Sequence, residues 1–322
     1  DADMQLRLRQ LLDELSVDIT MVFVLNRWSE IPQFVSHYGL VSQGKLQSTI
    51  TAKDTSAVGD LSRLLTLQQS SFVLPEADSS VTRNSFMPGD TIISLNKVAI
   101  NYPQGAIIED LSWQIKLGQH WQLSGPNGSG KTCLLQLISG DHPQCYVNDI
   151  LVFGFKRGSG ESIWDIKKHI GFLSNAFHLS YRVNCSLLHV VLSGFYDSIG
   201  LYQQPTKKQI QLAQQWLDVI GLADHEATPF QQLSFGDQRL ALIIRAMVKH
   251  PPLLILDEPC NGLDEINRQR ILSVIETIAK TTSTSVIYVN HHSDDVIGGI
   301  TNHILLDGDS PDCEVRYASN DV

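Results

Sequence analysis

The sequence predicts an α/β fold, and three stretches carry that expectation. A short apolar run, Trp121 to Leu123, meets the glycine loop Gly125-Pro126-Asn127-Gly128-Ser129-Gly130-Lys131-Thr132 and passes into the helical pattern Cys133 to Ile138. A second apolar run, Leu253 to Leu256, ends on the carboxylates Asp257 and Glu258. A third, Val286 to Val289, follows a helical pattern with Ile271, Ile275 and Ile278 on one face. Buried strands alternating with helices call for a sheet with parallel strands.

Composition permits such a fold. At 322 residues, 43% hydrophobic and 18% charged, the chain can bury one or two ordinary cores and is not disordered. Lys+Arg 24 against Asp+Glu 34 gives a net charge of −10, without any block of Lys or Arg. That argues against a nucleic-acid partner, because dedicated binders neutralise phosphates with clustered basic residues. The five cysteines (Cys133, Cys145, Cys185, Cys260, Cys313) show no C-x-x-C spacing and are odd in number, as expected of reduced cytosolic thiols. No apolar run approaches the ~18 residues of a membrane helix, and Asp1-Ala2-Asp3 does not open a signal peptide.

In chain order, Met4 to Leu15 has helical spacing at Leu8, Leu11, Leu12 and Leu15, and Ile19 to Leu25 reads as a fully buried strand. This helix-strand pair matches the later one, Arg270 to Lys280 followed by Val286 to Val289. Setting Asn26 over Asn290 also puts Thr20 over Thr284, Ser29 over Ser293, Glu30 over Asp294 and Arg27 over His291. The two ends are candidate copies of one unit. On that reading residues 1–50 are the C-terminal remnant of a first domain. Residues 51–90 are a linker, with a helical pattern at Leu61, Leu64 and Leu65 and the breakers Pro75 and Pro88-Gly89. A fresh domain occupies 91–322. It opens with strands at Ile92 to Leu95 and Val98 to Ile100, and Leu111 to Ile115 alternates toward the glycine loop.

The chemistry begins at that loop. Strand, glycine loop and helix in this order form the setting of a phosphate-binding P-loop. Glycines let successive N–H groups of the stretch from Gly125 through Asn127, Gly128, Ser129 and Gly130 to Lys131, Thr132 and Cys133 turn toward one anion, and the new helix adds its positive end. Lys131 is then the partner of β- and γ-phosphates, and the Thr132 hydroxyl a ligand for Mg²⁺. At the acidic strand end, Asp257 is the second metal contact and Glu258 the group that orients and deprotonates water. A nucleoside triphosphate is implied. A solvated acidic turn is the plainer alternative for Asp257-Glu258 taken alone.

Upstream, Leu233-Ser234-Phe235-Gly236-Asp237-Gln238-Arg239 precedes a helix with apolar Leu240, Leu242, Ile243, Ala246 and Met247. Ser234 can cap it and leave N–H groups for an anion, or act as a cap and nothing more. This stretch resembles the LSGGQ signature of the ATP-binding-cassette (ABC) ATPases. Phe235 and Asp237 depart from the pattern, one crowding and one charging the place where a partner's γ-phosphate would approach. Segment Phe153 to Gly171, together with Gly140-Asp141-His142-Pro143-Gln144, is similar to the tandem ABC ATPases of the molybdenum-transport and photorepair type.

The resemblance implies a P-loop NTPase of ABC type. Its expected parts are a mixed sheet core, an antiparallel β subdomain and a helical subdomain inserted at about 176–250, here with helices at Leu187 to Gly194 and Ile210 to Gly221. It implies ATP and Mg²⁺ as ligands, with Tyr102 stacking on adenine and Asn175, in a loop after Ile170 to Ser174, standing where the family has a glutamine that touches Mg²⁺ and water. It implies Ser234 and Gly236 on the triphosphate of a partner cassette, Asn261 to Asp264 crossing to that partner, and His291 as the switch residue on the γ-phosphate. The expected partners are a second ABC cassette, in cis or as a homodimer, and a membrane permease. The expected place is cytoplasmic, peripheral on the inner membrane face where a permease is bound. Molybdate uptake is the implied role; a soluble ABC ATPase acting in repair or on the ribosome, and a nucleotide-gated binding module, are the alternatives.

Overall fold

The computed structural model describes residues 2–25, 31–42, 45–55, 58, 73–77, 86–290, 297–307 and 313–316. The chain divides into two compact units, one of residues 1–70 and 262–270, the other of residues 71–261 and 271–322. In chain order the elements are α1 (Ala2–Leu15), β1 (His37–Ser42), β2 (Lys45–Thr51), β3 (Thr91–Tyr102), β4 (Gly105–Lys116), β5 (His120–Ser124), α2 (Lys131–Ser139), β6 (Asp149–Val152), β7 (Phe155–Lys156) and α3 (Ile163–Lys167). They continue with β8 (Ile170–Ser174), α4 (Asn175–Ser180), α5 (Leu187–Ser193), α6 (Lys207–Val219), α7 (Phe235–Met247), β9 (Leu253–Asp257), α8 (Glu265–Thr281), β10 (Ser285–Val289), β11 (Asn302–Leu306) and β12 (Cys313–Arg316).

The smaller unit holds α1 and an antiparallel hairpin of β1 and β2. The helix expected at the N-terminus forms. The strand expected at 19–25 does not: no strand runs there, and Val22 and Val24 are 90% and 92% exposed. An apolar run becomes a buried strand only when neighbouring strands take its N–H and C=O groups. The expected linker helix around Leu61, and positions 26–30 of the proposed repeat, lie outside the described residues.

In the larger unit a mixed six-stranded sheet runs β12-β11-β5-β10-β9-β8, with every pairing parallel except β11 with β12. Strands β8, β9 and β10 are nearly all apolar, as strands covered on both faces must be. The glycine-loop strand β5 lies between β10 and β11. A separate antiparallel sheet, β4-β3-β6-β7, completes the β part. Its inward residues (Ile93, Ile100, Trp113, Ile115) join Leu134, Leu137 and Ile138 of α2 and Trp121, Ile255 and Ile287 of the large sheet in one apolar core. Trp113 meets Trp121 edge-on, centroids 5.3 Å apart. Between β8 and β9 lie the inserted helices. Side-chain caps start them: Ser186 on α5, a capping box of Thr206 and Gln209 on α6, Ser234 on α7. The apolar faces of α5 and α6 pack with α7, around a fully buried Trp216.

Candidate functional site

Register places the site. Leu123 of β5 pairs with Val289 of β10, Val289 with Asp257 of β9, and Asp257 with Ser174 of β8. Four parallel strands therefore end at one level, the carboxyl edge where open α/β sheets receive ligands. The glycine loop, the acidic pair, Asn290 and Asn175 all follow directly from that edge.

The loop turns through positive φ at Gly125 (151°), Gly128 (85°) and Gly130 (92°). A Cβ on Gly130 would lie 2.5 Å from Ile107 Cγ2 of β4, and one on Gly125 2.6 Å from the carbonyl oxygen of Leu306. Only glycine fits both the dihedrals and the space. Gly130 caps α2 without a side-chain hydrogen bond, and Ser129 Oγ is buried with no hydrogen-bond partner among the described residues. Uncapped helix N–H groups and an orphaned hydroxyl are the donors that a triphosphate would satisfy. Lys131, buried beside them, donates from Nζ to the carbonyls of Gly125 and Pro126, both at 2.7 Å. Burial depresses its pKa, and the nearby charges of Glu258 and Asp257 pull it back up. Lysine and carboxylates thus share one electrostatic neighbourhood. Asn127 and Thr132 are exposed on the loop and the first turn of α2.

Glu258 sits in the left-handed region, φ 52°. Such a backbone costs about 1 kcal/mol or more for a side-chain-bearing residue. Its N–H donates to Val289 O at 3.1 Å, and its Oε2 accepts from Asn261 Nδ2 at 3.1 Å. The Asn261 amide was not expected to hold this carboxylate; spacing of three residues after Glu258 was the available signal. Asn290, at the end of β10, accepts from Gln122 Nε2 at 3.0 Å. His291 lies outside the described residues.

Asn175 was expected in a loop. It opens the helix α4 instead, because Ser174 Oγ accepts from Phe177 N and caps it. Its Oδ1 accepts from Nη2 of Arg239, a residue with no exposed surface. Arg239 belongs to α7, so the signature helix is tied to the acidic edge through this guanidinium. Burial lowers the Arg239 pKa to about 10, and Cys260 and Glu258 oppose the shift. Phe235, the first departure from the signature, lies under the Arg239 guanidinium (5.3 Å to the ring centre) and stacks on His178 at 4.6 Å. Ser234 Oγ accepts from Asp237 N at 3.1 Å and donates to Asp237 Oδ2 at 2.6 Å. Gly236 is buried in the same first turn.

Tyr102, at the end of β3, reaches the first turn of α2, where its hydroxyl lies 3.8 Å from Cys133 Sγ. The same hydroxyl lies 3.0 Å from His142 Nε2. His142 and Arg239 were not picked out as site residues, because pairing between distant elements leaves no local pattern. No group of three or more His, Cys, Asp or Glu among the described residues could hold a metal by itself. A cation here would need phosphate oxygens beside Thr132 and Asp257.

Residues 108–261 match the family model described as ABC transporter. Over 288 residues, 89% of this chain, the sequence is 46% identical to the ABC transporter ATP-binding protein ModF of Escherichia coli (strain K12), of which it spans 59%. It is 33% identical to the uncharacterized ABC transporter ATP-binding protein YlmA of Bacillus subtilis (strain 168), over 67% of this chain and 81% of that relative. A metal-chelate type ABC transporter solved in an inward-facing conformation superposes with a TM-score of 0.55 at 25% identity, over 70% of this chain and 83% of that one. With the glycine loop, the acidic strand end and the capped helix of Ser234 in one sheet framework, the chain belongs to the ABC transporter ATP-binding proteins and carries their ATPase cassette.

Proposed function

We propose that the chain binds ATP with Mg²⁺ at the carboxyl edge of its large sheet, hydrolyses it there, and energises the uptake of molybdate through a membrane permease. The observation that carries the chemical part is the shared level of β5, β9 and β10, with Lys131 in the field of both Asp257 and Glu258. Lys131 and the N–H groups from Gly125 to Cys133 hold the phosphates. Thr132 and Asp257, with Asn175, hold Mg²⁺, which when bound withdraws charge from the β- and γ-phosphates. Glu258, aimed by Asn261, orients and deprotonates water. His291 contacts the γ-phosphate and Tyr102 stacks on the base. Ser234 and Gly236 serve the triphosphate of a second cassette, supplied in cis where the polypeptide carries two and by another copy of this chain where it does not. ATP then closes the pair and hydrolysis reopens it.

In this proposal residues 1–50 are the end of a first cassette, 51–90 a linker and 91–322 the second cassette. The likeness to ATP-binding proteins of transporters supports a permease partner and a cytoplasmic place on the inner membrane face. No helix among the described residues is long and apolar enough to cross a membrane. Glu258→Gln tests the chemistry: turnover is expected to fall at least a hundredfold while ATP stays bound. Unchanged turnover rejects it. Co-purification from cells tests the rest, a permease supporting transport and nucleic acid or ribosomes overturning it.

A further inference from the structure

The segment Gly140-Asp141-His142-Pro143-Gln144 lies outside every role assigned above. Strand β3 pairs with β6 only from Ile93 to Asn96, which leaves the far end of β3 without a strand along that edge. Two side-chain amides replace it. Asn148 Oδ1 accepts from Ala99 N at 2.9 Å while its Nδ2 donates to Ala99 O at 2.9 Å. Gln144 repeats the pattern two residues on, accepting from Asn101 N at 3.1 Å and donating to Asn101 O at 2.7 Å. Residues i and i+2 of a strand bond toward the same neighbour, so the two amides continue the ladder. The next residue is Tyr102.

His142 finishes the arrangement. It is 4% exposed, and its Nδ1 accepts from Gln144 N at 3.2 Å. With Nδ1 accepting, a neutral imidazole carries its proton on Nε2 and donates it to Tyr102 Oη, 3.0 Å away. Tyr102 Oη can in turn donate to Cys133 Sγ. Burial holds the His142 pKa below its ordinary value, which favours the neutral form. Tyr102 is 41% exposed, and its hydroxyl lies against Cys133 in the first turn of α2.

From this geometry we infer that His142 and Gln144 are positioning residues for a purine-base subsite, fixing the Tyr102 ring next to the phosphate loop. The inference rests on the ATP-binding reading and adds what aims the ring. A ring pinned at its hydroxyl, on a strand held at the preceding residue Asn101, loses little freedom when a base stacks on it, so affinity gained from the base depends on the pins. The phosphates are held by other groups and do not depend on them.

The test compares ATP with inorganic tripolyphosphate as ligands of the intact chain. Tyr102→Phe removes one exposed hydroxyl, threatens folding little, and keeps a ring that can stack. It is expected to weaken ATP binding about three- to tenfold, with tripolyphosphate binding within about twofold. His142→Phe should give the same selective loss, the double variant no more than either single one, and His142→Gln, which can both accept and donate, should recover most of it. Equal losses for ATP and tripolyphosphate, or no loss in Tyr102→Phe, overturn the inference. Absence of ATP binding by the unaltered chain, read in the same assay, overturns the ATP reading itself.

Discussion

Arg239 donates from Nη2 to the side-chain oxygen of Asn175 at 2.9 Å, across 64 residues of sequence. It also reaches the carbonyl of Asn261 at 3.5 Å, while Nε and Nη1 are buried without hydrogen-bond partners among the described residues. A guanidinium this poorly satisfied costs stability, since apolar replacement of a buried ion is often neutral or favourable. What the guanidinium holds is Asn175 directly and the backbone of Asn261, whose amide is bonded to Glu258. Arg239→Met is expected to leave the melting temperature unchanged or a few degrees higher while lowering kcat at least tenfold. A parallel loss of stability and turnover would make Arg239 a plain structural residue.

Ser234 and Asp237 are reciprocally bonded, which gives the second expectation. The Ser234 proton goes to Asp237 Oδ2 and the Asp237 carboxylate occupies the positive end of α7, so in the proposed pairing of cassettes this turn would repel an incoming phosphate. Asp237→Gln removes the charge and restores the residue type of the resembled motif. It should raise ATP-dependent pairing of cassettes and turnover severalfold, measured by light scattering and phosphate release. Equal rates would show that the cap does not limit the reaction.

Gly130 carries the third. Its φ of 92° and the 2.5 Å approach of Ile107 Cγ2 mean that an added methyl group must displace the Ile107 side chain of β4. Gly130→Ala should destabilise the protein by about 2–4 kcal/mol, combining left-handed strain with overpacking, and weaken ATP binding at least tenfold. Calorimetry and nucleotide titration would check both numbers. Gly128→Ala, where no atom lies within 4 Å of the new Cβ, isolates the strain and should cost about 1–2 kcal/mol.

The parts legible in the sequence are those where chemistry demands residue types at fixed local spacing. Gly125 to Thr132 and Leu253 to Glu258 announce both their conformation and their place at strand ends, and the helices around Leu187 and Ile210 follow from apolar period and caps. The hairpin of β1 and β2 was missed. Gly39 weakens its first strand and Gln47-Ser48 its second, so neither alternates cleanly, although Gly44 between the two runs was a turn signal. Ile19 to Leu25 failed the other way, because apolarity reports what a segment could bury and not whether a neighbouring strand exists. Arg239 with Asn175 and His142 with Tyr102 join separate elements, and nothing in either local sequence marks the pairing.

Acid stability supplies the last expectation. His250, three residues beyond the end of α7, lies 5.7 Å from the Trp216 ring with its Nε2 buried and unpartnered among the described residues, and burial pulls its pKa to about 4. His169, against Phe153 at 5.0 Å and Phe86 at 5.4 Å, is also drawn to about 4, mainly by burial, with Lys168 and Lys249 adding to the shift and Asp165 opposing it. In the unfolded chain both titrate near ~6.5. Between about pH 4 and ~6.5 the two rings bind more protons in the unfolded state than in the folded one, so their contribution to stability is lost as pH drops through that window and is constant above it. Urea unfolding at pH 7 and pH 5 should differ by about 1–2 kcal/mol per histidine. His250→Asn keeps a residue tolerant of the left-handed backbone there (φ 47°) and should reduce the difference by about 1–2 kcal/mol, its own share. A pH 7 to pH 5 difference that is the same in His250→Asn as in the unaltered chain would mean that the His250 ring is protonated in the fold, against the burial that surrounds it.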